Sequence, residues 1–162
     1  MAKRVGLSRK LKLSWLNKAA ELALEGLPEQ EIREQLNAYL RFEIESPINI
    51  RKTREILMQT WVYESGKTGR LRPSALELMR TCPQCALEIH WCMLLAAYPV
   101  FADVCRLMGK ISAFQDEITL ARLRQSLFDE WGERTTLLHS LDKLMATFKE
   151  LEAVTCDRPG RY

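Results

Sequence analysis

The chain has 162 residues, of which 47% are hydrophobic and 28% are charged. This composition is typical of a soluble protein with one domain or two small domains, and it is long enough to bury a core. The longest uncharged apolar run is shorter than a membrane-spanning helix, and no signal peptide is visible. The five cysteines are odd in number, which favours reduced thiols in the cytoplasm over a disulfide framework.

The charges are unevenly distributed although the formal net charge is only +3. Residues 1–20 contain six Lys or Arg and no acid, whereas residues 21–50 contain two bases and seven acids. Residues 51–80 again have an excess of bases, with seven against three acids. Two basic blocks therefore flank an acidic one, which is compatible with a polyanion-binding face or with ordinary solvated surfaces.

The first half of the chain predicts three helices. The first has a basic arm before it, a plausible cap at Ser14 and an end at Gly26. The second begins at Pro28 with acids in its first turn, where the helix dipole favours them. Ser46-Pro47 then breaks the pattern, and a third helix is expected from about Asn49 to Tyr63.

A loop is predicted next, from Glu64 to Leu71, because this stretch contains two glycines and two bases. Its Ser-Gly-Lys-Thr resembles the end of a phosphate-binding loop, but the upstream glycine and the preceding strand are missing. We therefore expect a plain basic loop and no nucleotide site. Pro73 is expected to open a short helix that continues through Met79.

The most apolar stretch, from Thr81 to Gly109, predicts two buried helices that are broken at Tyr98-Pro99. The expected buried stripe of the first helix has helical spacing. It consists of Leu87, Trp91, Leu94, Leu95 and Tyr98. Gly109 suits the end of the second helix. We expect this stretch to be the hub on which two helical halves pack.

The last third predicts a helix-turn-helix. Thr119 caps a helix, Gly132 supplies a turn, and an amphipathic helix runs from Glu133 to Leu151. The buried stripe of that last helix is expected to be Leu137, Leu141, Leu144, Phe148 and Leu151. An extended segment and the turn signal at residues 157–160 follow. This order is typical of a winged helix, although the chain stops where the return strand should form.

The predicted fold is therefore all-α: a compact multi-helix bundle of two helix-turn-helix-like halves, with an end that is compatible with a partial winged helix. We expect an N-terminal half over residues 1–80, with the basic arm. A C-terminal half is expected over residues 81–162, with the central apolar pair and the helix-turn-helix-like end.

The cysteines and histidines predict no catalytic or cofactor site. Cys82 and Cys85 form a CxxC pair, but Cys92 lies two helical turns beyond it (roughly 10 Å), so the three sulfurs cannot converge on one ion in a helix. A zinc site and a redox pair remain open beside buried or capping cysteines. His90 and His139 are each isolated in sequence. No nucleophile–base order is present, and we expect neither an enzyme nor a bound cofactor or metal.

Basic side chains are the candidates for contacts to nucleic-acid phosphates. Three groups contribute them: the arm, the middle block and the last helix, which would enter the major groove by its N-terminal turns. The candidates are Lys3, Arg4, Arg9, Lys10, Lys12, Arg51, Lys52, Arg54, Lys67, Arg70, Arg72, Arg134 and Lys143. Glu133 and Asp142 lie on the same last helix and would repel DNA. The arm and the middle block are therefore the stronger candidates.

Two features resemble a known family. One is the basic helix after a proline break, SPINIRKTREILMQTWV. The other is the apolar pair with its Tyr98-Pro99 junction, followed by ITLARLRQSLFDEWGERTTLLHSLDKLMATFKELEAV. Together they resemble the BrxA family of BREX phage-defence systems, small all-α proteins described as similar to NusB. The resemblance covers roughly Ser46 to Val154.

The resemblance implies a non-catalytic accessory component of a bacterial anti-phage system, with helix-turn-helix-like halves that bind double-stranded DNA. Sequence-nonspecific DNA binding by basic surfaces is thus the first expected function. The alternative is an adaptor that docks onto larger defence enzymes without touching nucleic acid. Expected partners are double-stranded DNA and other defence-system proteins in the cytoplasm, and no membrane.

Overall fold

The computed structural model describes residues 5–64 and 66–162. These residues form eight α-helices, one short 3-10 turn and no strand, so the predicted all-α fold is confirmed. The helices are α1 (Leu13–Leu24), α2 (Glu29–Leu40), α3 (Pro47–Trp61), α4 (Gly66–Thr81), α5 (Ala86–Ala97), α6 (Pro99–Ser112), α7 (Leu120–Trp131) and α8 (Thr135–Glu150). The 3-10 turn, Pro83–Cys85, lies between α4 and α5.

The chain divides into two units at a different place from the predicted boundary. The N-terminal unit is Leu11–Ala97, and the C-terminal unit contains residues 5–10 together with Tyr98–Tyr162. Helix α5 belongs to the N-terminal unit because it packs closely along α4. The end of the arm belongs to the C-terminal unit, where Lys10 forms a 2.9 Å ion pair with Glu150. The stretch from Thr81 to Gly109, predicted to be one hub, is thus shared between two units.

Some helices of the N-terminal unit, but not all, begin where their capping residues predict. Ser46 accepts a 3.4 Å hydrogen bond from the amide of Asn49, and Pro47 occupies the first position of α3, where no amide donor is needed. α1 begins one residue before its predicted cap, Ser14, and has no side-chain cap. Gly26, after α1, has a φ of +68°, which glycine tolerates without strain.

Helix α4 replaces the predicted loop and short helix. It runs continuously from Gly66 to Thr81 with Pro73 inside it. The proline removes one intrahelical hydrogen bond, but the helix buries Thr68, Arg72 and Ala75 on one side and packs mainly on α5. Burial of this face therefore outweighs the local preference of the glycines and the proline for a turn.

The buried face of α5 differs from the predicted stripe. Ile89, His90, Met93 and Leu94 are buried, whereas Trp91 is half-buried and Leu95 is exposed. Because the helix is apolar around nearly its whole circumference, its periodicity could not establish which face points inward. The choice is made by packing against α3 and α4.

In the C-terminal unit, α6 continues past the predicted stop at Gly109 to Ser112, and Ile111 is buried. In α8 the predicted stripe is confirmed, with all five of its members almost fully buried. The centre of this core includes Phe101 and Phe148, whose ring centroids are 4.9 Å apart. Regular spacing on a helix with one polar face was sufficient to predict this packing.

The last residues of the chain turn back and pair with the segment before α7. The amide of Ile118 donates to the carbonyl of Tyr162 at 2.7 Å, and the amide of Tyr162 donates back at 3.0 Å. Leu120 donates to the carbonyl of Gly160 at 2.8 Å. This return segment therefore pairs through isolated antiparallel bridges, whereas the sequence predicted that the chain stops where a return strand should form.

Helix α5 has the composition of a buried or membrane-embedded helix. Among the described residues, no single helix is both long and apolar enough to cross a bilayer. The segment formed by the 3-10 turn and α5 reaches the required length and composition only when it is counted together with α6, across the break between α5 and α6. Ile89, Met93, Phe101 and Val104 of these two helices are buried in the structure.

Candidate nucleic-acid interface

Helices α7 and α8 follow one another in the C-terminal unit and are joined by a short connection that begins at Gly132. Thr119 caps α7 by accepting a 3.4 Å hydrogen bond from the amide of Arg122. Gly132 ends the helix with a φ of +77°, a conformation that strains any residue with a side chain. The paired segment at Ile118 precedes α7, and the return segment at Tyr162 follows α8.

Helix α8 presents a polar face opposite its buried stripe. Thr135, Thr136, His139 and Lys143 are exposed on it. Hydroxyl and ammonium groups of this kind suit phosphate oxygens and base edges. The exposed face of α8 therefore offers several hydrogen-bond donors.

Arg134, another predicted contact, is half-buried just before α8. Its guanidinium lies over the ring of Trp131 at 5.8 Å from the centroid. It also donates a 3.1 Å hydrogen bond to the Trp131 carbonyl. These contacts hold Arg134 against the turn between α7 and α8, whereas Lys143 is exposed in the middle of α8.

An open cleft of about 370 Å³ lies beside the turn between α7 and α8. Its lining combines two arginines with apolar side chains and one acid: Arg124, Phe128, Glu133, Arg134, Thr135 and Leu138. Arg124 was not among the predicted contacts. Its spacing could have identified it, because Arg124 lies four residues before Phe128 and both side chains therefore lie on the same face of α7.

Acidic side chains reduce the attraction of this unit for DNA. Residues 118–162 carry seven bases and seven acids. Glu133 and Asp142 are exposed beside the polar face of α8. Glu130 is partly neutralised because it forms an ion pair with Arg106. Long-range electrostatic attraction by this unit is therefore weak, and contacts must depend on short-range hydrogen bonds.

The turn before the return segment carries two further arginines that the sequence analysis did not select. Arg158 is exposed, and Arg161 forms a 3.2 Å ion pair with Glu117. Both line an open cavity of about 440 Å³ together with Asp116, Glu117, Thr155, Asp157 and Tyr162. The turn was predicted from the sequence, so its charged residues could have been predicted as candidate contacts at the same time.

The predicted arm contributes fewer available cations than expected. Lys3 and Arg4 lie outside the described residues. Arg9 donates to the carbonyl of Ser8 at 2.6 Å. Ion pairs engage the two lysines, Lys10 with Glu150 at 2.9 Å and Lys12 with Glu43. A phosphate would have to compete with these acids for either lysine.

The middle block divides into exposed and internally bonded arginines. Arg51 and Lys52 are exposed on α3 and have no ion pair within the part of the chain that the structure describes. The side chain of Arg54 is only 13% exposed. It donates to Asn37 at 3.0 Å and to Glu55 at 2.7 Å. Arg54 therefore holds α3 to α2 and does not belong to a phosphate-binding surface.

Glu55 is the centre of a polar network between α2 and α3. It accepts hydrogen bonds from Arg33 at 2.7 Å and from the Tyr63 hydroxyl at 2.6 Å. Burial works to raise the pKa of Glu55, but the bonds from Tyr63 and Arg54 and the charge of Arg33 outweigh it, and the pKa falls below its usual range. Burial and the Glu55 carboxylate raise the pKa of Tyr63. The network keeps Glu55 ionised and is structural.

Lys67 and Arg70 are exposed on the first turn of α4, three residues apart on one face. Arg72, predicted with them, is only 8% exposed and donates to the Tyr63 carbonyl. Burial lowers its pKa. Arg72 is thus inaccessible to a phosphate. The exposed bases of the middle block are therefore Arg51 and Lys52 on α3 and Lys67 and Arg70 on α4.

The cysteines differ from their predicted reduced state. Cys82 and Cys85 are joined by a disulfide, while Cys92 is an exposed free thiol. Burial raises the pKa of the Cys105 thiol to about 11. Among the described residues, no three His, Cys, Asp or Glu side chains are grouped so that they could hold a metal ion.

His90 is fully buried, which fits the prediction of a helix histidine within the fold. Its Nε2 lies 2.7 Å from Oδ1 of Asn17, an oxygen that accepts, so Nε2 carries the proton of the neutral ring. The ring meets Trp61 edge to face with centroids 5.2 Å apart. Burial lowers the pKa of His90 to about 4. His90 is therefore neutral at physiological pH.

Comparisons with protein-family models, curated proteins and solved structures found no match to this chain. The resemblance to the BrxA family therefore stays an expectation from the sequence. The function has to be argued from the geometry of the two units.

Proposed function

We propose that this protein binds double-stranded DNA without catalysing a reaction, and that α8 of the C-terminal unit enters the major groove. The supporting observation is the pairing of Tyr162 with Ile118. In this proposal the pairing closes a winged-helix-like arrangement in which α7 and α8 act as the helix-turn-helix. In helix-turn-helix proteins the second helix contacts base edges by its N-terminal residues, while the preceding helix crosses the backbone.

The exposed side chains of α8 suit this role. Thr135 and Thr136 lie on its first turn, and His139 and Lys143 follow on the next turns. Arg124 and Arg134 line the cleft beside that turn and are placed to meet a phosphate flanking the groove. No bidentate pair of the kind that reads a specific base is evident on this face. We therefore expect binding with little sequence preference.

The N-terminal unit supplies additional phosphate contacts in this proposal. Residues 47–80 carry seven bases and three acids. Four of those bases are exposed without an ion pair in the described chain: Arg51, Lys52, Lys67 and Arg70. Phosphate contacts release counterions, so the affinity should fall steeply as salt is raised.

The family resemblance gives this activity a biological setting. An accessory protein of a BREX-type phage-defence system in the bacterial cytoplasm would use non-specific DNA binding to bring larger defence enzymes to DNA. This setting rests on the resemblance alone, whereas the DNA-binding proposal also has the support of the winged-helix order and the exposed cations.

The test is fluorescence polarisation with a labelled 20-base-pair duplex at 50 and 150 mM salt. We expect the Lys143→Glu variant and the double variant Arg51→Glu/Lys52→Glu each to bind at least about fivefold more weakly at 50 mM salt. Replacing Lys143 by Gln should reduce the slope of log affinity against log salt by about one. The matched control is Lys110→Glu, an exposed charge reversal at the end of α6, which should bind within about twofold of the wild type.

Two outcomes would contradict the proposal. If the wild type does not bind the duplex at 50 mM salt, the protein is not a DNA-binding protein. If charge reversal at Lys143 has no greater effect than at Lys110, α8 does not contact DNA, whatever the result for Arg51 and Lys52. Circular dichroism of each variant should match that of the wild type, so that a loss of binding is not a loss of folding.

A second candidate, the adaptor, is favoured by exposed aromatic side chains. Phe42 follows α2 and Phe114 follows α6, and each is 88% exposed. In the adaptor hypothesis, each of these rings would be an aromatic anchor that the partner covers. If the protein is an adaptor, nuclease-treated co-purification with the products of neighbouring genes should depend on Phe42 or Phe114. Loss of that interaction in Phe42→Ser or Phe114→Ser, for a wild type that does not bind the duplex, would support the adaptor.

A further inference from the structure

Cys82 and Cys85 lie at an accessible corner of the N-terminal unit. Their disulfide spans the 3-10 turn between α4 and α5, with the Cα atoms 5.5 Å apart. Both cysteines are half-exposed, and Pro83 and Gln84 between them are exposed. A thiol from solution can therefore approach the sulfur atoms without unfolding a helix.

The disulfide contributes little as a structural staple. A cross-link stabilises a fold mainly by restricting the unfolded chain, and this effect is smallest for a short loop such as this one. The turn is also held by backbone bonds. The Cys85 amide donates to the Cys82 carbonyl at 2.9 Å, and the Cys82 amide donates to Leu78 at 2.8 Å. A role in chemistry accounts for the pair better than a role in stability.

The position of the pair favours reactivity. The 3-10 turn leads directly into α5, so Cys85 lies at the positive end of a 12-residue helix, where a thiolate is stabilised. Cys82 instead follows the last residue of α4, where the helix dipole acts in the opposite sense. Glu88 in the first turn of α5 opposes the effect on Cys85, and Arg80 is paired with Glu77. Cys92 provides an internal comparison, because it is exposed within the same helix but lies away from its N-terminal end.

We propose that Cys82 and Cys85 form a thiol–disulfide exchange site whose substrate is a thiol. A substrate thiolate attacks one Sγ, a mixed disulfide forms, and the other cysteine leaves as a thiolate that takes up a proton. A second substrate thiol then displaces the first cysteine. Two substrate thiols become one disulfide while the protein disulfide gains two electrons and two protons, and the reverse reaction restores it. This inference is independent of DNA binding.

The pair is first tested by a redox titration of the full chain in glutathione buffers of fixed composition. Samples are quenched with acid, and free thiols are counted with a maleimide of large mass. We expect two thiols to appear together in a single two-electron transition. Cys92→Ser should keep that transition. Cys82→Ser and Cys85→Ser should abolish it and should instead accumulate one bound glutathione per chain in oxidised buffer. The free-thiol count should rise from three to five per chain, and five free thiols at every buffer composition would overturn the proposal.

Reactivity and substrate class are tested separately. In the reduced protein at pH 7, iodoacetamide should modify Cys82 or Cys85 at least about fivefold faster than Cys92, and modification no faster than that of Cys92 would overturn the proposal. The oxidised protein is then mixed with glutathione or with reduced thioredoxin. Faster reduction by thioredoxin assigns a protein thiol as substrate, and faster reduction by glutathione assigns a small thiol. Failure of both to reduce the pair would also overturn the proposal.

Discussion

The buried histidine of the N-terminal unit predicts a specific loss of stability in acid. His90 is neutral in the folded protein because burial lowers its pKa from 6.5 to about 4. Once the chain unfolds, the ring regains its ordinary pKa and binds a proton below pH 6.5. Stability from this residue is therefore complete above pH 6.5 and is lost as the pH falls towards 4.

The magnitude follows from the size of the pKa change. One pKa unit corresponds to about 1.36 kcal/mol, so a change from 6.5 to about 4 gives a total loss of about 3 kcal/mol. At pH 5 the unfolded ring is almost fully protonated and the folded ring is not, so we expect a loss of about 2 kcal/mol. This is a large share of the stability of a small domain.

The assay is urea unfolding of the wild type and of His90→Gln at pH 7.5 and pH 5. Other groups also titrate in this range, so the informative quantity is the difference between the two pH dependences. We expect the wild type to lose about 2 kcal/mol more than His90→Gln. His139→Gln, at the exposed histidine of α8, should behave as the wild type. Equal pH dependence in the wild type and in His90→Gln would refute the assignment of a buried neutral ring.

Two further predictions concern the C-terminal unit. Phe148→Ala should lower the free energy of unfolding by about 3–5 kcal/mol because Phe148 is buried against Phe101, whereas Phe42→Ala, at an exposed ring, should change it by less than about 0.5 kcal/mol. Deleting residues 161–162 removes two backbone hydrogen bonds to Ile118 and should cost about 2 kcal/mol. Tyr162→Phe keeps these bonds and is the control. Urea unfolding measures both, and a deletion as stable as the wild type would contradict the pairing.

Much of the helical fold could be predicted from local signals. Thr119 and Gly132 bound α7 as expected, and the stripe of α8 is buried as predicted. Each of these helices has one clear apolar face, so the periodicity of its apolar residues and the residues that cap its ends predict the same helix. The buried face of α5 could not be predicted in this way. This helix is apolar on nearly every side, and only packing against α3 and α4 selects the face with Ile89 and Met93.

Two other elements depended on contacts distant in sequence. The two glycines predicted a loop over residues 64–71, and Pro73 predicted the start of a separate short helix. Burial of Thr68 and Ala75 along one side of the segment instead favours one continuous helix, α4. The disulfide between Cys82 and Cys85 was not expected, because an odd cysteine count favours reduced thiols. That count describes the whole chain and carries no information about two cysteines that one turn brings together.

The candidate interface was the least predictable feature, because sequence reports charge but not whether a charge is accessible. Arg54 and Arg51 belong to the same basic block, yet Arg54 is bonded to Asn37 and Glu55 while Arg51 is exposed. A cation already paired within the fold must break that pair before it can bind a phosphate, and the gain is then small. The number of accessible cations, and not the total, should therefore determine how steeply DNA binding falls with salt.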